Sequence, residues 1–342
     1  MTTTPASARP SSSLALPVLD EALADRLVQR LALVEAGLDE AVQSQAPFVT
    51  EAAQHLLQAG GKRFRPLLVL LAAEAAPEGS GDLDQVVTSA CVVELTHLAS
   101  LYHDDVMDEA DLRRGTPSAN ARWDNLVAIL TGDWLFSKSS ELTARLGADA
   151  VRIQAETFSR LVEGQILETL GPDNGDPLEH YLRVVEGKTG SLIATSARYG
   201  AIFGGCPPEV QRALTAYGEK VGVAFQLSDD ILDIASESGE SGKTPGTDLR
   251  EGVPTLPVLM AQRSANPADA RLLELLAADL ADDDALHAEA LALLRVHPAM
   301  DQARAYVLDL AREAADLLTT LPEGPVRDAL TAFADLIATR TA

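Results

Sequence analysis

Two short segments of this 342-residue chain set carboxylates at a spacing suited to metal chemistry: His103-Asp104-Asp105-Val106-Met107-Asp108 and Ser228-Asp229-Asp230-Ile231-Leu232-Asp233. Each is a DDxxD pattern at the end of a long apolar stretch. On a helix, residues four apart share a face, so Asp104 points with Asp108, and Asp229 with Asp233. Two carboxylates about 4 Å apart repel by about 4 kcal/mol at an effective dielectric near 20, so something cationic belongs between them. Clustered hard oxygen ligands suit Mg2+, which takes one or two carboxylates while phosphate oxygens and water complete its shell. Two such clusters would face each other across a diphosphate. A solvated acidic helix end is the alternative for either cluster taken alone.

The cationic counterpart is Gly60-Gly61-Lys62-Arg63-Phe64-Arg65-Pro66, three cations in four positions after a Gly pair and before an apolar helix. Backbone donors at that helix start, with Lys62 and Arg65, make an anion site; the alternative is a solvated basic turn. His97 precedes Asp104 by two helical turns and shares its face, either as a ligand or as a satisfied core residue. Arg113 and Arg114 follow the first cluster in one short loop. Adjacent guanidinium groups there suit separate contacts to two anions.

Helices must carry these groups. Ala and Leu dominate, only 4% of residues are aromatic and β-branched runs are short, which favours an all-α fold. Apolar residues recur at helical spacing from Leu19 onward, with breaks at Gly and Pro clusters. The pattern predicts about ten to twelve helices in one domain over residues 18–342, after a disordered tail at 1–17. That tail lacks the apolar core of a secretory signal, and a transit peptide is its other reading. No window reaches a membrane span: Val86–Tyr102 comes nearest and carries Glu94 and His97.

Net charge is −24, from 51 acidic and 27 basic residues, which argues against nucleic-acid or anionic-membrane partners. A polyanionic substrate would have to be drawn in by metal ions or a few placed cations. Cys91 and Cys206 make neither a disulfide framework nor a zinc pattern, and fit a reduced cytoplasm.

Taken together, GGKRFRP (60–66), ELTHLASLYHDDVMDEADLRRG (94–115), GDWLF (132–136), GKTGSL (187–192), FQLSDDILD (225–233) and GKTPGTDLREGVPTLP (242–257) resemble the trans-polyprenyl diphosphate synthases, in family order across most of residues 60–260. The resemblance implies that the chain elongates an allylic diphosphate with isopentenyl diphosphate. Lys62, Arg65, His97 and Arg114 would hold isopentenyl diphosphate. Asp104, Asp105, Asp108, Asp229, Asp230 and Asp233 would hold Mg2+ on the allylic diphosphate, with Arg113 on the same group. Lys188, Thr189 and Gln226 would line the allylic substrate near its ionising carbon, and Lys243 would lie in a loop over the phosphates. The chain departs from the family at Val253, where a second lysine is common.

In this family, bulky residues four and five positions before the first Asp block the product tunnel of short-chain enzymes. Here these are Ser100 and Ala99, both small, which predicts a hexaprenyl to decaprenyl product suited to a quinone side chain. Small residues on a buried helix also serve close packing, and the floor has Val92, Leu95 and Val162 as other candidates. The resemblance further implies a homodimer, with at most transient membrane contact when product leaves. The rivals are a short-chain synthase, a terpene cyclase, which would have no use for GGKRFRP and His97, and a non-catalytic partner subunit, which would tend to have lost aspartates.

Overall fold

The computed structural model describes residues 17–18, 20–236 and 245–340. Lys243 lies outside the described residues, as does the expected tail apart from its last residue.

The described residues are helical nearly throughout. In order come α1 (Glu21–Ala41), α2 (Pro47–Gln58), α3 (Phe64–Ala73), α4 (Leu83–Met107), α5 (Ala119–Arg122), α6 (Asn125–Arg145), α7 (Ala148–Leu170), α8 (Pro177–Val185), α9 (Ser191–Gly204), α10 (Pro208–Ala235), α11 (Thr247–Arg250), α12 (Leu256–Gln262), α13 (Ala270–Leu276), α14 (Asp284–Arg295), α15 (Pro298–Leu317) and α16 (Pro325–Thr339). Among the described residues ten helices run twelve residues or longer, in keeping with the helix number the sequence predicts. A two-residue antiparallel ladder, β1 (Leu112–Arg113) with β2 (Thr116–Pro117), follows the first acidic cluster.

Several of the acidic residues behind the −24 charge are helix starts. Asp20, Asp82, Asp124, Asp176 and Asp283 are N-caps whose side chains accept first-turn backbone N–H groups, a placement worth about 1 kcal/mol each.

Helix α4 carries apolar residues on every side and is the central element, as expected of a helix without a polar face. It packs against α1, α3, α6 and α9, while α10 packs against α9, α15 and α16. In α3 every residue except Arg65 is buried. Burying side chains such as Leu67, Leu68, Leu70 and Leu71 stabilises by roughly 1.5–3 kcal/mol apiece.

Three fully buried tyrosines tie helices together through their hydroxyl groups. Tyr102 of α4 donates to Ala52 O of α2 at 2.5 Å, Tyr199 of α9 to Ala150 O of α7 at 2.8 Å, and Tyr217 of α10 to Leu330 O of α16 at 2.7 Å. Each leaves no orphaned phenol in the core. Among the described residues no helix is long and apolar enough to cross a membrane.

Candidate active site

The ends of α3, α4, α7, α10 and α16 surround a cavity of about 990 Å3. A second recess of about 420 Å3 continues from it, sharing Gln165, Lys188, Thr189 and Gln226 in its wall.

One wall is cationic. Lys62, Arg65, His97, Arg113 and Arg114 all line the large cavity, so segments from three parts of the sequence converge. Arg63, which also lines the cavity, adopts a left-handed φ of 47° just before α3. Its guanidinium donates to Glu35 (2.7 Å), Glu94 (3.1 Å) and Leu57 O (2.9 Å). Arg63 thus anchors the basic segment, its guanidinium committed to carboxylates and a carbonyl within the protein. Arg65 Nε is buried without a hydrogen-bond partner, an unspent donor beside an anion site. Burial lowers the Arg65 guanidinium to about 10, which leaves it charged at neutral pH.

Arg114 donates to Leu56 O at 3.0 Å and to Gly60 O. Gly61, at φ +146°, makes room: a Cβ there would meet the guanidinium at 3.0 Å. Burial first, and then the charges of Arg65, Arg114, Arg113 and Arg63, pull the His97 imidazole well below its ordinary range. It is neutral at pH 7.

The acidic clusters lie across the cavity mouth. Asp104 and Asp229 line the large cavity, and Asp108 and Asp230 line the recess. Burial pushes Asp104 up to about 6, outweighing the opposing pull of Lys188, as expected of a desolvated carboxylate. Asp105 is fully buried, accepts from Arg113 Nε at 2.5 Å through Oδ1, and has Oδ2 buried without a partner. Arg113 also lies 3.9 Å from Asp108, so it belongs to the acidic cluster as well as to the cavity wall. Asp233 accepts the N–H groups of Thr247 and Asp248, each at 3.2 Å, and so also caps α11.

These residues fit a divalent cation: they are hard oxygen donors, several are desolvated, and one oxygen is orphaned. Among the described residues no three His, Cys, Asp or Glu side chains converge on one point. A cation here would take the rest of its shell from ligand phosphate and water, as Mg2+ usually does.

Between the clusters sits a polar cradle. Lys188 and Thr189 belong to a π-helical turn, Glu186–Gly190, between α8 and α9; such turns interrupt regular helices most often at functional sites. Glycines let the turn nest. A Cβ on Gly164 of α7 would stand 2.6 Å from Lys188 N, and one on Gly222 of α10 would stand 2.8 Å from Gly190 Cα. Lys188 pairs with Glu168 at 2.6 Å. Thr189 Oγ1 donates to Gln226 Oε1 at 3.1 Å, and Gln226 Nε2 to Asp230 Oδ1 at 3.1 Å. Tyr181 of α8 donates to the other oxygen, Oδ2. Burial pushes Asp230 up to about 7.

Below the charged rim the wall turns apolar, with Leu101, Phe136, Phe158, Leu161 and Val162. The Phe136 and Phe158 rings meet at 4.5 Å. Ser100 lines this wall, its hydroxyl turned to His97 O at 2.9 Å. Ala99 is fully buried, outside the wall, with its carbonyl toward Gly132 of α6. Val253 is exposed on the recess.

Arg340, Tyr181 and Glu168 escaped the sequence reading. Arg340 follows α16, stacks on the Phe225 ring at 4.5 Å, and reaches Asp229 at 2.9 Å. None of the three stands in a motif; each meets its partner only through the fold.

A helical cavity with a cationic wall, a carboxylate-lined mouth and an apolar interior is built for a molecule with an anionic head and a greasy tail. The chain belongs to the polyprenyl synthetase family, matching it over residues 46–294. It is 50% identical over 311 residues to the nonaprenyl diphosphate synthase of Mycobacterium tuberculosis, covering 91% of this chain and 92% of that one. It is 32% identical to the octaprenyl diphosphate synthase of Escherichia coli, over 94% and 98%. Two solved structures are close. The geranylgeranyl pyrophosphate synthase of Corynebacterium glutamicum, complexed with calcium and isoprenyl diphosphate, has a TM-score of 0.86 at 44% identity, covering 96% of this chain and 100% of that one. A decaprenyl diphosphate synthase from Rhodobacter capsulatus gives 0.84 at 36%, over 94% and 99%. The chain is therefore a prenyltransferase.

Proposed function

We propose that this chain condenses isopentenyl diphosphate with an allylic diphosphate to build a long all-trans polyprenyl diphosphate, in the hexaprenyl to decaprenyl range. The observation that carries this reading is the division of one cavity into two unlike anion sites above an apolar interior. A cyclase ionises a single diphosphate and would leave the cationic wall without a purpose.

Lys62, Arg65, neutral His97 and Arg114 hold the isopentenyl diphosphate. Asp104, Asp108 and Asp229 face the allylic diphosphate and hold Mg2+ there, with Asp105, Asp230 and Asp233 behind them. When bound, the metal neutralises the leaving diphosphate and so favours its departure. Lys188 and Arg113 add positive charge toward that group. Thr189 and Gln226 offer oxygens to the allylic carbon as positive charge develops there. The isopentenyl alkene attacks that carbon, and the proton lost in re-forming a double bond passes to the released diphosphate. The apolar wall takes the tail and keeps water from the cation.

The remaining proposals follow from the same reading. The chain acts as one domain over 18–342, as a homodimer in the cytoplasm, with transient membrane contact at product release and a quinone side chain as the product's destination. A shorter product, of geranylgeranyl or farnesyl length, is the second reading, and the Phe136–Phe158 pair in the wall is what favours it.

The test is incubation of the purified chain with isopentenyl diphosphate, Mg2+ and each short allylic primer in turn, with product length read by chromatography. Isopentenyl-dependent products of thirty or more carbons are expected. Cyclised products formed without isopentenyl diphosphate would overturn the reading, and inactivity that a second subunit fails to relieve would assign a non-catalytic role.

A further inference from the structure

The polar cradle beside the allylic carbon is an unbroken hydrogen-bond chain whose direction matters for the chemistry. It runs from Tyr181 on α8 to Asp230 on α10, back one turn to Gln226, and across to Thr189 on the π-helical turn. A carboxylate accepts and cannot donate, a phenol hydroxyl has one proton to give, and a glutamine side chain has a donating end and an accepting end. With one Asp230 oxygen taken by the Tyr181 hydroxyl, the other is left to draw in the Gln226 amide nitrogen. Gln226 Oε1 must then point toward Thr189 and accept its proton. What Gln226 Oε1 and Thr189 Oγ1 have left to offer are lone pairs, on two residues that both line the cavity.

Lone pairs suit a carbon that becomes positive. With the amide reversed, an N–H would point where Oε1 now lies, and the adjoining hydroxyl would be free to turn its proton to the cavity. Either change places a positive dipole end against the developing cation, and preorganised dipoles of this kind are among the largest contributions to catalysis.

We propose that Tyr181 is a positioning residue that, through Asp230, fixes the Gln226 amide and Thr189 hydroxyl with their lone pairs toward the allylic carbon. Asp230 then serves orientation more than metal binding, because both its oxygens are already engaged. Asp104 and Asp229 line the larger cavity, Asp229 in contact with Arg340. The inference rests on the prenyl-transfer reading, and parent turnover, measured first, tests that reading by itself.

The experiment compares the parent chain, Tyr181→Phe, Gln226→Ala and the double variant under steady-state conditions with Mg2+. Tyr181→Phe removes one hydroxyl and keeps the ring. Its kcat is expected to fall on the order of tenfold or more. The KM values for both diphosphates and the half-saturating Mg2+ concentration should stay within about twofold, because the cradle faces carbon rather than phosphate. In the Gln226→Ala background the same change should cost nothing further, since residues acting as one unit are non-additive. A loss of equal size in both backgrounds, or a parent-like kcat in Tyr181→Phe, overturns the proposal. Should Tyr181→Phe fail to fold, as judged by thermal melting, Asp230→Asn decides. It should lower kcat at unchanged Mg2+ requirement, and a raised Mg2+ requirement would instead make Asp230 a ligand and overturn the inference.

Discussion

Arg340 Nη2 lies 2.9 Å from Asp229 Oδ1, so the C-terminal helix places a guanidinium on the first aspartate of the second cluster. Arg340 Nε also donates to Ser228 Oγ, and Nη2 to Phe225 O, each at 2.7 Å, with the group stacked on the Phe225 ring. Four contacts to one segment of α10 hold it in place. A cation at that distance competes with a divalent metal for the same carboxylate. Replacing Arg340 with Met keeps a long apolar stem over Phe225 and removes the competitor. The half-saturating Mg2+ concentration in an elongation assay should fall several-fold, and an unchanged or raised value would show that Arg340 does not restrain the metal site.

A second prediction concerns Gly164. Its α carbon lies under the π-helical turn, and a methyl group there would stand 2.6 Å from Lys188 N and 3.1 Å from Val184 O, both backbone atoms. Backbone cannot swing aside as the end of a side chain can. Gly164→Ala should displace Lys188 and Thr189 together, cost roughly 1–3 kcal/mol of stability, and lower kcat by at least tenfold. Denaturant unfolding and steady-state kinetics on the same preparation test both parts. A stable, fully active variant would mean that the turn tolerates displacement.

The acidic clusters give a pH prediction with a definite sign. Burial raises Asp104 to about 6 and Asp230 to about 7, from an ordinary value of 3.8. Between those limits the folded chain keeps protons that the unfolded chain has released, so these groups' contribution to stability falls as pH rises through that window. A divalent metal needs the ionised Asp104 carboxylate and reverses its penalty. Mg2+ should therefore raise the melting temperature clearly at about pH 8 and hardly at about pH 5. The effect should be lost in Asp104→Asn. Equal shifts at both pH values, or a shift that survives the substitution, would remove Asp104 from the metal site.

How far the sequence reveals this site follows from the range of each interaction. The DDxxD pairs and the 187–192 segment are local patterns, and local spacing on a helix determines which side chains share a face. His97 thus comes to line the cavity beside Asp104. The basic segment is a partial case. Three cations in four positions look alike as letters and all three line the cavity, but the Arg63 guanidinium is paired with Glu35 and Glu94 whereas Arg65 Nε has no hydrogen-bond partner. Arg113 has a similar ambiguity, because its loop folds back onto the cluster just before it. Tyr181 and Arg340 find their partners 49 and 112 residues away in sequence, and no spacing rule reaches that far. The disposition of Ala99 and Ser100 belongs to the same class: adjacent residues on a helix point about 100° apart, and only the packing of α6 against α4 decides which faces the cavity.

That difference separates two substitutions that look equivalent in sequence. Ser100 lies on the cavity wall that Phe136 and Phe158 also line, so Ser100→Phe adds a ring to the wall along which the growing tail is proposed to pass. The product ladder should shorten by several isoprene units with little loss of folding. Ala99 has no exposed surface and its carbonyl faces Gly132 across the α4–α6 contact. A ring at that position has no cavity to enter, and overpacking of this kind costs about 1–3 kcal/mol or more. Ala99→Phe should therefore lower the melting temperature, and any soluble fraction should give products of parental length. Radiolabelled elongation with thermal melting on both variants tests the pair. Equal shortening by both would place Ala99 on the tunnel after all, and a parental ladder from Ser100→Phe would move the length-setting floor away from α4 to the aromatic side chains of α6 and α7.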